Sequence, residues 1–581
     1  MEKFAILETF QEMKPAGFGH VFSFTIGNGD SYPEDYVDEE KTNAIDDEVH
    51  ATLIPYLEIL AKKKEMVYRD VDLLWCFKKK LLNYVCFIEP RYRIFKTLLS
   101  RYHFKTLYLE DLKEDPDYPN LSFILNRSPL KQTIHIEKIN SQKAFSQEAV
   151  NGKWKPQRSI LKRFCERFAK GNIRNAKIAL FADPFKSENI RTALSTVDLV
   201  LYSDILSPRL IGQSFYKNFS VYQADFSKSS REHYLEQSKP FITLLDQKNI
   251  FQGFSVSDLR WDDLLQRNLR THFERQLPKL LFDIDTLHMF FSKAKSLKAC
   301  LLDEDVAPTK NAFCQLARHY GVVTYVESHG ALGKRSSSLP LTAEKIFVWG
   351  KAQREKLIRW GCQPEKIIVS GRSLYSAYRK MDAGKIKEEV ARELDLDPSK
   401  KIILIGLFIF RKYRKRIFEN SRREMIRELF EVIAKYKEVQ VILKAKQKCD
   451  ENGAIFQQWV ARNNVSHRVK VIDDYNPLKL IMASDIMIAH KTTFAIDGFA
   501  MNKPVIAFHD PVSYLGEEFR ERKAFYHANS KEELEDLIDK LLWNDYFQFK
   551  DCERAQKECL NYHDESPEKI IVSHLLSSIK S

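Results

Sequence analysis

Residues Val322–Gly371 read VVTYVESHGALGKRSSSLPLTAEKIFVWGKAQREKLIRWGCQPEKIIVSG. Three runs in this stretch, VVTYVES, KIFVWG and KIIVSG, are short, rich in β-branched and aromatic residues, and bounded by glycine or polar clusters, which is the pattern of strands. The first two are joined by a glycine-bearing loop, HGALGKRSSSLPLTA, and the last two by QREKLIRWG, whose apolar positions recur at helical spacing. Strands alternating with helices predict a parallel sheet, because parallel neighbours need a crossover connection.

The alternation extends in both directions. Upstream lie a strand in KACLLDEDV and a helix through NAFCQLARHYG. Downstream, after a charged helical segment from Ala383 to Leu394, a second series begins. It runs KKIILIGLFIF, a helix near SRREMIRELFEVIAKYK, VQVILKAKQ, another helix, RVKVIDD, a helix at PLKLIMAS, DIMIAH, and then AHKTTFAIDGFAMNKPVIAF with a strand at PVIAF. Two such series, separated near Leu374 to Lys401, predict an α/β fold of two Rossmann-like lobes facing a cleft, with ligands beyond the carboxyl ends of the strands. Nearer the N-terminus, AKIALFADPFKSENIRTALSTVDLVLYSDI reads as β, α, β, the segment Asn140–Arg158 as a loop, and the stretch onward to Lys298 as mostly helical. From Ala51 to Leu112 the apolar spacing predicts helices ending in a strand at KTLYL, so the N-terminal region is expected to be largely helical. The expected division is a first lobe over 1–375, with a mostly helical region at about 1–115, a second lobe over 376–545, and a helical tail over 546–581.

Composition narrows the function classes. The chain has 581 residues, 44% hydrophobic and 29% charged, with 19 Gly and 20 Pro, so disordered, collagen-like and low-complexity classes are excluded. A net charge of +13 suggests an anionic partner: a phosphorylated small molecule, nucleic acid or an anionic membrane surface. The basic and aromatic run RYRIFKTLLSRYHFK has the spacing of an amphipathic helix with an apolar core face, which makes nucleic acid the weaker candidate. The nine cysteines show no CxxC spacing and read as reduced thiols of a cytoplasmic protein. MEKFAILETFQEMKPAG lacks the layout of a secretory signal. The longest apolar run, Ile402–Phe410, falls short of the about 20 residues a membrane helix needs. A soluble protein is expected, with at most a peripheral contact at an anionic membrane.

The informative side chains stand at the carboxyl ends of the strands. After DIMIAH come Lys491, Thr492 and Thr493, where backbone N–H groups and hydroxyls can hold phosphate oxygens or merely cap the next helix. Asp497, one turn later, is within reach of a ribose if a nucleotide lies there. Lys444 and Lys446 end another strand and can balance phosphate charge, as can Arg411 in the basic cluster that follows IILIGLFIF. In the first lobe His329 and Gly330 end VVTYVES, and Asp303, Glu304 and Asp305 end the strand before it. His329 or one of these carboxylates can take a proton from an acceptor hydroxyl, or the carboxylates can cap the helix near Pro308. No GxGxxG after a strand, GxxxxGK[ST], HExxH or GxSxG occurs, so dehydrogenase, P-loop, zincin and hydrolase readings lack their residues.

The order ESHG, IFVWGKAQREKLIRWGCQPEKIIVSGR and PLKLIMASDIMIAHKTTFAIDGFAMNKPVIAF resembles the GT-B glycosyltransferases of bacterial surface polysaccharide synthesis. More narrowly it is similar to the group around Kdo and sialic-acid-type transferases and CDP-glycerol glycerophosphotransferases, over about Ala299 to Phe508. The resemblance implies that His329 and Gly330 form the acceptor-side HG motif, and that Gly371 is the glycine before the connection between lobes. It implies too that Thr492 and Thr493 bind donor phosphate and that Asp497 takes the place of a glutamate near the ribose. LKAKQ departs from the K-x-H-P of many relatives, leaving Lys446 to substitute or a different donor to be used. The expected activity is metal-independent transfer, without a cofactor, of a sugar from a nucleotide donor to a glycan or lipid-linked glycan acceptor. A CMP-linked nonulosonate is the first choice of donor, and the enzyme is expected in the cytoplasm or at the inner face of the membrane. Alternatives are polyol-phosphate transfer from a CDP-linked donor, sugar-nucleotide epimerisation, and a non-catalytic nucleic-acid-binding role.

Overall fold

The computed structural model describes residues 39–102, 228–328, 338–378, 381–407, 420–445, 451–490, 492–509, 522–544, 549–561 and 566–580 continuously, with shorter pieces among 4–23, 106–139, 173–202, 219–222, 330–335 and 518–519. His329, Arg411, Lys446 and Lys491 lie outside the described residues.

The N-terminal region holds strands β1 (Phe4–Leu7) and β2 (His20–Ser23), helix α1 (Glu39–Lys62), helix α2 (Lys78–Tyr102), and strands β3 (Thr106–Glu110) and β4 (His135–Ile139). The two long helices and the strand at KTLYL stand where the apolar spacing puts them. In addition, the four strands form a parallel sheet in the order β2-β1-β3-β4, of which only β3 was expected from the sequence.

The first lobe is a seven-stranded sheet of β5 (Ile178–Phe181), β6 (Leu199–Tyr202), β7 (Phe219–Tyr222), β8 (Ala299–Leu302), β9 (Val323–Glu327), β10 (Lys345–Val348) and β11 (Ile367–Val369), ordered β11-β10-β9-β8-β5-β6-β7 and parallel throughout. The second lobe has six parallel strands, β12 (Ile402–Leu407), β13 (Gln440–Lys444), β14 (Val469–Ile472), β15 (Ile486–His490), β16 (Val505–Phe508) and β17 (Tyr526–Ala528), ordered β14-β13-β12-β15-β16-β17. Each sheet runs outward from its first strand in one direction and restarts on that strand's other side. The reversal opens a crevice between β5 and β8 in one lobe and between β12 and β15 in the other. Apolar residues cover both faces of each sheet, as parallel sheets require. The strands β7 and β17 lie outside the sequence expectation.

Six helices beside these sheets matter for the site: α3 (Pro308–His319), α4 (Lys351–Arg359), α5 (Pro477–Ala483), α6 (Phe494–Ala500), α7 (Phe549–Leu560) and α8 (Pro567–Lys580). The last of them returns to the first lobe. Ile571, Val572 and Leu575 are buried against Tyr325 and Phe347, and each such aliphatic side chain contributes about 1.5–3 kcal/mol. Gly371 makes this return possible: its φ is +85°, and a Cβ there would come within 2.8 Å of Pro567 Cγ and 3.1 Å of the Leu560 carbonyl oxygen. Trp349, Ala352 and Tyr375 of the first lobe are in turn buried in one core of the second.

The N-terminal helices are fastened to the first lobe through polar contacts as well as apolar ones. Buried His50 of α1 has Nε2 3.1 Å from the Leu339 carbonyl oxygen. Burial is the main cause that lowers its pKa from 6.5 to about 4. The unfolded chain therefore takes a proton that the folded one refuses, and stability is lost as pH falls from about 6.5 toward 4. The loss is expected to reach about 3 kcal/mol at the acid end. Urea unfolding of the parent and of His50→Gln at pH 7 and pH 5 checks this, since the variant should lack that part of the slope.

Among the described residues there is no disulfide, no group of three or more His, Cys, Asp or Glu side chains arranged to hold a metal, and no helix long and apolar enough to cross a membrane.

Candidate functional site

The carboxyl ends of the two sheets meet. Gly330, three residues past β9, lies so close to Thr493 that a Cβ on it would be 3.4 Å from the Thr493 methyl carbon Cγ2. The first-lobe side of this junction is built on Trp349, at the end of β10. Its indole N–H donates to the Ser328 carbonyl at 3.1 Å, and its backbone N–H donates to Gln353 Oε1 at 2.9 Å. Gln353 Nε2 donates to the Gly330 carbonyl at 3.3 Å, and the Ser328 hydroxyl donates to the same oxygen at 3.1 Å. Thus Trp349 and Gln353, both fully buried, hold Ser328 and Gly330 in place.

The second-lobe side is the crevice between β12 and β15. Here Gly406 lets Phe494 pack down onto β12: a Cβ at Gly406 would lie 2.3 Å from Phe494 Cδ1. The helix that begins there is only seven residues long, with Thr493 as its N-cap. Thr493 makes no side-chain capping bond, whereas Thr492 Oγ1 accepts from the Phe494 N–H at 3.3 Å. The capping role belongs to Thr492, and both residues are partly exposed.

A charged cluster spans the lobes between these two sides. Arg372, following Gly371, donates from Nη1 to Asp497 Oδ1 at 2.5 Å and to the Tyr375 hydroxyl at 2.7 Å. Tyr375 donates to the same Asp497 oxygen at 2.6 Å. The guanidinium carbon lies 4.8 Å from the centre of the Trp349 ring and 4.9 Å from that of Tyr375, within cation–π range. Burial disfavours the charged guanidinium, but Tyr375, Asp497 and Glu327 outweigh it and hold the Arg372 pKa above the ordinary arginine value. Burial pushes the Tyr375 phenol well above its usual range, so it keeps the proton it donates. Glu327, the last residue of β9, accepts from the Ser373 N–H at 3.3 Å and from the Ser373 hydroxyl at 3.2 Å.

Other expected residues fall elsewhere. Asp303, Glu304 and Asp305 do end β8, which pairs directly with β9, but they are engaged locally. Asp305 is 4% exposed, and its Oδ2 accepts from the backbone N–H groups of Thr342 at 2.5 Å and Ala343 at 2.9 Å. Asp305 thus holds the chain at Thr342 and Ala343 from the end of β8. It does not cap the helix near Pro308, where the N-cap is Ala307. Asp303 and Glu304 both pair with Lys310. Lys444 turns its ammonium to the carbonyls of Ala445 and Asp473, at 2.6 and 2.8 Å, and so ties adjacent strand ends together.

Arg372, Tyr375, Glu327 and Trp349 were not singled out from the sequence. The available signal was a basic residue directly after the glycine that ends KIIVSG; its partner lies 125 positions away, which no local pattern reveals.

No family model matches the chain, and no curated protein sequence does. Solved structures similar to it include a glycosyltransferase from Rickettsia africae, at 13% identity over 70% of this chain and 98% of that one, with a TM-score of 0.41. The Anabaena protein HepE in complex with UDP and glucose is similar at 11% identity over 69% and 99% of the two chains, TM-score 0.43. A putative UDP-N-acetylglucosamine 2-epimerase from Listeria monocytogenes is similar at 13% identity over 70% and 96%, TM-score 0.45.

Proposed function

We propose that this chain is a GT-B glycosyltransferase that moves a sugar from a nucleotide donor to a glycan or lipid-linked glycan acceptor. One observation carries the reading: two sheets with Rossmann strand order turn their carboxyl ends to each other, and Gly330 of one meets Thr493 of the other. In open α/β sheets that is the place where ligands bind. The donor phosphate would lie against Thr492 and Thr493 beside the crevice of the second lobe, with Lys491 next to it. The acceptor would enter along the first lobe, where His329 is the candidate base. Electrostatic stabilisation of the departing phosphate by protein cations suits this arrangement. A CMP-linked nonulosonate remains the first choice of donor, from the sequence resemblance.

The test is thermal unfolding of the full chain with CMP, CDP, UDP and GDP, because a ligand bound only by the folded state raises the melting temperature. Product analysis with the matching sugar nucleotide follows. A sugar transferred to a glycan supports the proposal. A phosphodiester product would replace it by polyol-phosphate transfer, and conversion of the sugar nucleotide without an acceptor would replace it by epimerisation. No shift with any nucleotide, together with steeply salt-dependent binding to RNA or DNA, would end the enzyme reading.

A further inference from the structure

Where α1 meets the first lobe, two buried side-chain nitrogens, His50 Nδ1 and Arg335 Nε, have no hydrogen-bond partner. His50 is 4% exposed and has Nε2 3.1 Å from the Leu339 carbonyl oxygen. A carbonyl only accepts, so Nε2 carries the proton of the neutral ring and Nδ1 is left with a bare lone pair. Arg335 precedes Leu339 in the same loop, and its carbonyl accepts from the N–H groups of Ser338 at 3.1 Å and Leu339 at 2.9 Å. No carboxylate among the described residues lies within ion-pair distance of its guanidinium. Folded chains leave few polar groups unpaired, and an uncompensated cation is the costliest kind. The outer end of the guanidinium is reachable: a Cβ on exposed Gly361, just beyond α4, would lie 3.6 Å from Arg335 Nη2. After burial itself, the charges of Arg335 and of Lys79 in the first turn of α2 help to keep the His50 ring neutral, which puts both near it. Asp46, one turn earlier on α1 and 3% exposed, is the carboxylate on the same helix face. Two cations against one carboxylate leave these surroundings net positive.

We propose that Arg335 and His50 form an oxyanion site, which takes inorganic phosphate or sulfate, or the terminal phosphoryl group of a larger molecule, with His50 gaining a proton as the anion binds. The protonated ring gives Nε2–H to Leu339 and Nδ1–H to the anion, and Arg335 Nε–H gives a second charge-assisted bond, so both orphaned nitrogens are satisfied by one ligand. Neither residue belongs to the donor or acceptor groups proposed above, so this site stands or falls independently of that reading.

The experiment is calorimetric titration of the full chain with sodium sulfate, against sodium chloride of equal ionic strength, at pH 5, 6 and 7 and in two buffers of different ionisation enthalpy. Sulfate itself does not titrate in this range. Binding at pH 6 should take up about one proton, and affinity should fall by up to about tenfold per pH unit toward pH 7. His50→Gln should bind more weakly, with no proton uptake and no dependence on pH. Arg335→Gln should abolish binding, yet melt no lower than the parent in sulfate-free buffer, because it removes a cation that had no partner. At pH 5 sulfate should raise the melting temperature of the parent, offsetting part of the acid loss expected from His50, by more than the general effect of the salt that Arg335→Gln measures. Glycerol 3-phosphate is the second probe: binding extends the site to a phosphoryl group on a larger molecule, and exclusion restricts it to the free anion. No sulfate binding at pH 5, binding without proton uptake, or binding that Arg335→Gln leaves unchanged would overturn the inference.

Discussion

Lys356→Met is expected to destabilise the protein by about 3–5 kcal/mol, the cost of removing one member of a buried ion pair. The Lys356 ammonium, on α4 of the first lobe, lies 2.8 Å from Glu518 Oε2 of the second-lobe chain, and the two side chains are only 7% and 2% exposed. Methionine keeps the length and apolar stem of lysine, so the loss is chiefly that of the charge. Adding Glu518→Gln should recover part of the loss, because the buried carboxylate charge is then gone as well. Urea unfolding of parent, single and double variants measures this; a deficit below about 1 kcal/mol would contradict it.

This pair is one of several contacts that join the lobes. Arg522 of the second-lobe chain pairs with Glu558 of α7 at 2.7 Å and with Glu355 of α4 at 3.4 Å, and Cys559 and Leu560 of α7 lie in the core that takes in Trp349. Lobe orientation is thus set by buried charge and by packing between the lobes.

What the sequence disclosed and what it did not divide along physical lines. Strands such as Ile402–Leu407 and Ile486–His490 read as unbroken apolar runs because Ile402–Ile405 and Ile486–Ala489 alternate between two cores, so their existence and order were legible. The strands Phe4–Leu7, His20–Ser23 and Phe219–Tyr222 are four residues each, too short for a period to show, and they are strands only because distant segments pair with them. The place of Thr492, Thr493 and Asp497 beside a strand end was legible because they follow a strand in a recognisable order. Arg372 and Tyr375 were not, because their role comes from a contact between lobes. For Asp303, Glu304 and Asp305 the sequence showed the position at a strand end, and the structure adds their partners: Asp305 accepts from backbone N–H groups and the other two pair with Lys310. Sequence position told which rim a residue occupies, and only packing told whether its charge was already engaged.

The largest functional effect is expected from removing both hydroxyls beside β15. Thr492→Ala with Thr493→Ala should abolish measurable nucleotide binding, since two hydrogen bonds to a charged phosphate are together worth about 3–6 kcal/mol. The fold should survive. Only Thr492 makes a local bond, to the Phe494 N–H at 3.3 Å, and loss of such a cap costs about 0.5–2 kcal/mol. The single variants separate the two duties. Thr492→Ala should lower both stability and nucleotide affinity. Thr493→Ala, with no capping bond to lose, should lower affinity with little change in melting temperature. Thr493→Ser sharpens the contrast: it keeps the hydroxyl and removes the methyl that faces Gly330, so affinity should be retained if the hydroxyl matters and lost if contact between the lobes matters. Unchanged affinity in the double variant for every nucleotide that binds the parent would place the donor phosphate elsewhere and leave Thr492 a cap and nothing more.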